Sequence, residues 1–244
     1  MRYAIIADIH ANLAAFKAVL DHIERRGGVE EIWCLGDVVG YGPDPHQCIE
    51  LLRQYNHVCI AGNHDWAAIG KEATSEFNPD AAVACRWTAQ QLSPEDVDYL
   101  ESLPVVIQRE DFTLAHGSPR QPIWEYLLSV SSAKENFAYF QSQFCLVGHS
   151  HVPMVFKYDE TGTCSFGQFV PNIKLVLGKS RLIINPGGVG QPRDGDPRAS
   201  YAIYDNETGM VRLYRVPYDI GITQTRMVKS NLPIRLVSRL SQGV

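Results

Sequence analysis

Apolar residues along this chain gather into short continuous runs, and five of them, at residues 3–7, 32–35, 58–61, 112–115 and 144–147, have the length and composition of buried strands. Between the first two, Leu13, Phe16, Leu20 and Ile23 fall at helical spacing, Asn12 stands where a cap belongs, and Gly27-Gly28 stops the helix. A second helix is predicted over residues 45–55. The order strand, helix, strand, helix, strand predicts parallel pairing with right-handed crossovers. Residues 66–105 read as helical: Asn78-Pro79 opens one helix, and Ser93-Pro94-Glu95-Asp96 supplies another with a cap, a first-turn proline and acids. This stretch either covers a crevice at the strand ends as a lid or packs on the sheet.

Beyond His151 the pattern changes to hairpins, 154–158 with 163–166, 174–177 with 181–184, and 200–204 with 210–215, each around a polar turn. Local antiparallel pairing suits a second sheet. The predicted fold is therefore α/β, a four-layer αββα sandwich of two mixed sheets flanked by helices. A single domain over residues 1–244 is expected, with a weakly patterned surface helix or tail after about residue 218.

A hydrophobic content of 45% over 244 residues supports one sizeable core. The net charge of −5 gives no broad positive field, so long nucleic acids are not expected as partners, and a repair-type nuclease is disfavoured. The six cysteines form no C-x-x-C pair, and Cys34, Cys59 and Cys145 lie in predicted strands, as small core hydrophobes of a reducing compartment do. Asp8 and His10 interrupt the first apolar stretch, which lacks a cleavage-like site, and no run approaches the ~18 apolar residues of a membrane span. A cytoplasmic protein without a membrane partner is expected; the sequence is silent on oligomeric state.

The chemistry lies where the five runs end: Asp8-x-His10, Gly36-Asp37, Gly62-Asn63-His64-Asp65, His116-Gly117 and Gly148-His149-x-His151. Strand ends of open α/β sheets face one crevice, so these distant residues can converge. Singly, each has an ordinary use: a helix cap at Asp8 or His10, a turn at Asp37, an Asx-turn at 63–65, satisfied core histidines at His116 and His149. His22, His46 and His57 stand outside the pattern and are read as structural. Jointly, the five clusters make a donor list for two divalent metal ions per chain. Carboxylate, imidazole and amide donors without thiolate admit Mn, Fe, Zn, Ni or Mg.

At these residues the chain resembles the calcineurin-like metallophosphoesterase superfamily, whose pattern is D-x-H, GD, GNH[DE], H and GHxH in that order, over roughly residues 1–205. The resemblance implies a first metal on Asp8, His10, Asp37 and His151, and a second on Asp37, Asn63, His116 and His149, with Asp37 bridging. It also implies that His64 reaches the phosphoryl group or its leaving oxygen. The segment from Asn185 to Asp194 is similar to the NPG-S-V-GQPRD stretch of small bacterial and archaeal phosphoesterases in that superfamily, with Gly188 in place of serine. That segment is either a tight loop between strands or a wall of the site.

The implied activity is hydrolysis of small phosphodiesters or phosphomonoesters by a hydroxide held between the metals, with His64 and Asp37 as the catalytic pair of residues. Asp65 either orients the His64 ring or caps the following helix. Asn12, Arg120 and Arg193 are candidate substrate contacts, Asn12 alternatively a plain cap or a support for the first metal. Tyr41, Trp66, Trp124 and Tyr126 are candidates to line a cleft. A second possibility is the branch of serine/threonine protein phosphatases and diadenosine tetraphosphate hydrolases, which resembles GD-x-VDRG; here Val38-Val39-Gly40-Tyr41-Gly42 lacks the arginine. A non-catalytic scaffold would be marked by lost ligands, and none is lost.

Overall fold

The computed structural model describes residues 1–244. Strands β1 (Arg2–Ile6), β2 (Glu31–Cys34) and β3 (His57–Cys59) run parallel, connected through α1 (Leu13–Arg25) and α2 (Pro45–Arg53). Asn12 caps α1, its Oδ1 accepting from the Ala15 N–H. A helical stretch follows: α3 (Asn63–Ala68), one 3-10 turn (Thr74–Glu76), α4 (Pro79–Ala89) and α5 (Pro94–Ser102). Asn78 and Ser93 cap α4 and α5 at the positions their sequences predict.

The chain then forms β4 (Val106–Arg109), β5 (Phe112–Ala115), α6 (Val130–Asn136), β6 (Phe144–Leu146), β7 (Met154–Tyr158) and β8 (Cys164–Gln168). It ends with β9 (Lys174–Val176), β10 (Arg181–Asn185), β11 (Ala199–Asp205), β12 (Met210–Val216), α7 (Ile220–Lys229) and α8 (Ile234–Arg239). One six-stranded sheet has the order β3-β2-β1-β11-β12-β9, the other β4-β5-β6-β10-β7-β8. Both are mixed, as expected.

Period-two alternation explains the layers. Tyr3, Ile5, Ala7, Trp33 and Leu35 face inward and meet Phe112, Leu114, Phe144, Leu146, Leu182 and Ile184 of the other sheet. Their neighbours Ala4, Ile6, Ile32 and Cys34 face outward onto Phe16, Val19, Leu20 and Ile23 of α1 and Ile49 and Leu52 of α2. On the far face of the second sheet, Cys145, Phe156 and Ile183 pack with Ala133 of α6 and Phe137 just beyond it. Each fully buried Ile, Leu or Phe contributes about 1.5–3 kcal/mol. The strand ends that carry the polar clusters are thus anchored by the best-buried part of the protein. All six cysteines are free and five are buried.

Four expectations are corrected. The five cluster-bearing strands do not share one sheet: β1, β2 and β3 belong to the first, β5 and β6 to the second. Residues 174–177 and 181–184 do not form a hairpin, because β9 pairs with β12 while β10 inserts between β6 and β7. Burial decides this: β10 is almost wholly buried and needs a neighbour on each side, whereas β9 is mostly exposed and suits an edge. The 200–215 hairpin forms but joins the first sheet, with β11 antiparallel to β1. The stretch after residue 218 is no tail; Met227, Leu232, Leu236, Val237 and Leu240 are buried together with Tyr41, Ala81 and Ala84.

Candidate metal centre

Five strand ends converge at one edge of the sandwich, and the backbone there is bent hard. Asp8, His10, Asp37, His149 and His151 all have positive φ, between 49° and 62°. Asp and His tolerate this region better than most residues, yet each such residue costs about 1–3 kcal/mol. Interstrand bonds hold the bends: Asp8 N–H donates to Gly36 O, His10 N–H to Asp37 O and Ala11 N–H to Val38 O. Gly62 is required because a Cβ there would fall on the Asp37 carboxylate.

The histidine tautomers follow from their backbone partners, since a carbonyl can only accept. Nδ1 of His10 donates to Val39 O (3.1 Å), Nδ1 of His116 to Leu35 O (2.8 Å) and Nδ1 of His151 to Gln191 O (2.5 Å). Whenever one of these rings is neutral, its Nε2 is therefore a bare lone pair. His10 Nε2 and His151 Nε2 nevertheless face each other at 3.1 Å, with Asp8 Oδ1 3.4 Å from the latter. His116 Nε2 lies 3.1 Å from Asn63 Oδ1, 3.2 Å from His149 Nδ1 and 3.3 Å from Asp37 Oδ2. Asp37 Oδ2 is also 3.6 Å from His10 Nε2, so one carboxylate belongs to both groups.

All seven side chains are buried. Two inward-facing atoms, Asp8 Oδ2 and Asp37 Oδ2, have no hydrogen-bond donor. Opposed lone pairs and bare carboxylate oxygens in a sealed pocket are mutually repulsive unless a positive charge sits among them. The donor set fits a divalent cation, with hard oxygen and borderline imidazole ligands and no thiolate. Protonation is the other relief the groups have. Burial pulls His116 down, but the Asp37 carboxylate 3.3 Å from its Nε2, with Asp8, pushes it up to about 9. Burial pushes Asp8 up to about 7, against the pull of His116. Burial would also lift Asp37, yet His116, His64 and His10 hold it below the usual carboxylate range. Burial keeps His10, His149 and His151 neutral, which a ligand must be.

His64 stands beside this group. Its ring is packed against His10, Tyr41 and Phe77 at centroid distances of 4.9, 4.3 and 4.9 Å. Burial lowers its pKa to about 4. Its Nδ1 is 3.2 Å from Sγ of Cys85, whose thiol burial pushes up to about 12. A thiol that stays protonated donates, so Nδ1 accepts and Nε2 carries the ring proton. His64, Asn63, Tyr41, Phe77, Trp124 and Tyr126 line a cavity of about 540 Å³. Cys85 is a partner that sequence reading missed; its helical segment shows no motif, and only the packing of α4 brings it to His64.

The other candidates fall as follows. Asp65 does not touch the His64 ring: Oδ2 accepts from Asp37 N–H (2.8 Å) and Gly62 N–H (3.0 Å), and Oδ1 from Val39 N–H (3.1 Å). Three backbone donors outcompete a ring that already has a partner. Asn12 caps α1 and ties it to Gly190 O and Thr223. Arg120 is drawn away from the cavity into ion pairs with Glu125 and Glu135. Arg193, half-buried, reaches Tyr41 OH and Gln191 Oε1 and keeps Nε unpartnered. Trp66 does not line the cavity, whereas Tyr41, Trp124 and Tyr126 do, and the 3-10 turn region supplies Glu76 and Phe77 to its wall. The 185–194 segment is a wall as well as a connection. Val189 and Gly190 N–H groups bond Ala7 O and Asp8 O, and a Cβ on Gly190 would collide with Ile9 O. His22, His46 and His57 lie apart, bonded to Tyr201, Asp96 and Tyr99.

Comparison with known proteins agrees with this geometry: residues 1–209 match the calcineurin-like phosphoesterase superfamily domain. The chain belongs to that superfamily. A crystal structure of a metallophosphoesterase from Sphaerobacter thermophilus superposes with a TM-score of 0.90 at 46% identity, covering 100% of this chain and 99% of that one. An uncharacterized protein of Methanocaldococcus jannaschii is 40% identical across 98% of this chain and 97% of its own length. More distantly, a symmetrical bis(5'-nucleosyl)-tetraphosphatase of Erwinia tasmaniensis is 25% identical over 54% of this chain and 49% of that enzyme. No helix is long and apolar enough to cross a membrane.

Proposed function

We propose that this member of the calcineurin-like phosphoesterases is a hydrolase of small phosphoesters that uses two divalent cations. The observation that carries the reading is the pair of opposed donor groups, His10 with His151 and His116 with His149 and Asn63, which share Asp37. Asp8, His10, Asp37 and His151 would hold one cation, and Asp37, Asn63, His116 and His149 the other. When bound, the cations would supply Lewis-acid charge to phosphoryl oxygens and lower the pKa of water at the site.

The chain's own residues do the rest. His64, a neutral ring with its proton on Nε2, donates to the phosphoryl or departing oxygen from the cavity wall. Arg193 offers its unpartnered Nε–H to a phosphoryl oxygen. Tyr41, Phe77, Trp124 and Tyr126 exclude water and give the non-reacting part of the substrate flat surfaces to lie against. Those aromatic walls, together with the partial likeness to symmetrical tetraphosphatases, favour a second reading in which the substrate is a dinucleoside polyphosphate.

The test is a panel of a bis-aryl phosphate diester, an aryl monoester, a dinucleoside tetraphosphate and a phosphopeptide. Protein stripped of metal would be reloaded separately with Mn, Fe, Zn, Ni or Mg, and kcat/KM read for each. Activity restored by one or more ions on a small ester is expected; no turnover of any ester with any ion would overturn the reading. His64→Ala is expected to lower kcat by about 10²–10⁴ with metal content intact, while Asp37→Asn loses metal as well. Equal metal loss in both variants would refute that division of roles.

A further inference from the structure

At the opposite end of the first sheet lies a second hollow, of about 610 Å³, which the metal centre does not use. Arg2 of β1, Arg25 and Arg26 at the end of α1, Lys174 of β9 and Arg212 of β12 line it, with Tyr214 at its base. None of these five cations has a carboxylate within ion-pair distance. The single acidic lining residue, Asp205, accepts instead from the backbone N–H groups of Glu207 and Thr208. In a chain of net charge −5, five unpaired cations around one cavity form a local concentration of positive charge.

The ordinary reason for cations at the end of a helix, its dipole, accounts for Arg25 and Arg26. It does not account for Arg2, Lys174 and Arg212, which arrive from three separate strands. Two of the guanidinium groups are also fixed before any ligand arrives. Arg26 lies over the Tyr214 ring at 4.3 Å, and Arg2 Nη1 donates to Arg26 O at 2.8 Å. Fixed forks of this kind suit phosphate oxygens. The volume falls within the range of small-molecule sites. From Arg2 to Asp8 is six residues of strand, or about 20 Å, so a ligand here would not touch the metal donors.

We propose that this hollow is a binding site for an oligophosphate, a chain of about three phosphoryl groups either free or carried on a nucleoside. Five cations gathered around one cavity of about 610 Å³, on a chain of net charge −5, favour a compact polyanion over an extended nucleic acid. The site does not depend on the hydrolytic reading above.

Calorimetric titration of the full chain at low salt, with tripolyphosphate, ATP, inorganic phosphate and a short single-stranded RNA, tests this. Tripolyphosphate and ATP are expected to bind more tightly than phosphate. The doubly substituted Arg25→Gln/Arg212→Gln protein is expected to bind at least ~10-fold more weakly, with its Tm and its ester hydrolysis at the metal centre unchanged. Equal binding of tripolyphosphate and ATP assigns recognition to the phosphate chain, and tighter ATP adds the base; both support the site. Undiminished binding by the double variant, binding of phosphate as tight as tripolyphosphate, or preference for RNA would overturn it. Should the double variant unfold, Lys174→Gln alone, on an exposed edge strand, must still weaken binding.

Discussion

Asp65 is the residue whose replacement best separates the observed architecture from the alternative in which it steers His64. Its two oxygens accept three backbone N–H groups, two on Oδ2 and one on Oδ1. Asparagine offers a single acceptor oxygen. In its better orientation Asp65→Asn keeps the Asp37 and Gly62 donors and turns an amide N–H₂ toward the Val39 N–H. An orphaned buried donor costs about 1–3 kcal/mol, and the two bonds that remain lose roughly 1 kcal/mol each without the charge. Part of this is returned, because burial and the nearby Asp37 charge push the Asp65 carboxyl up to about 7, so its ionised form was already disfavoured. A net loss of about 2 kcal/mol follows, which for a chain of this size lowers Tm by about 4–8 °C. The donors that move hold the Asp37 turn, so metal affinity should fall with stability, by about 10–100-fold, as for other supports of ligands. Thermal unfolding followed by circular dichroism and metal titration of the stripped protein are the assays. A variant with wild-type Tm and metal affinity but an altered pH profile of kcat would show that Asp65 acts through His64, and the reasoning would be wrong.

Two further outcomes are expected. Cys85→Ala removes the donor to His64 Nδ1 and should lower kcat about 10-fold with metal content and KM little changed, while Cys85→Ser restores most of it; equal activity of the Ala and Ser proteins would deny the thiol a positioning role. His46 is raised by its hydrogen bond to Asp96, so its stabilisation is fully present below the unfolded pKa of about 6.5 and is lost as pH rises through the raised folded value. His46→Gln should therefore lower Tm near pH 5.5 and much less near pH 9; a pH-independent difference would rule out this linkage.

The strand ends were readable because a buried strand and a metal donor each leave a local mark: a run of apolar residues, then Asp, Asn or His beside Gly. The caps of α1, α4 and α5 were readable for the same reason. Allocation of strands to sheets was not local. Lys174–Val176 and Arg181–Asn185 look like the arms of a hairpin, and only the demand of β10 for burial on both sides sends them to different sheets. The helices after Tyr218 were underread because the apolar residues there are spread over two short elements and the loop between them. Sequence position does not reveal which partner wins at Asp65 or Arg120: of the two uses open to Asp65, backbone N–H groups, including that of the cap residue Gly62, take it rather than the His64 ring, and glutamates take Arg120.

The placement of β1 between β2 and β11 bears on how the protein is made. Ala4 pairs with Ile32 on one side and with Ile203 on the other, and β10 enters between β6 and β7 after both exist. During synthesis the first strand therefore waits, half-paired, until residues near 205 have left the ribosome. Closing so long a loop is slow. Gln191 O, the acceptor that aims the His151 ring, arrives almost as late. A nascent chain thus presents these imidazoles and carboxylates unassembled, and on the proposed two-cation reading metal capture would follow the emergence of this late segment rather than guide it.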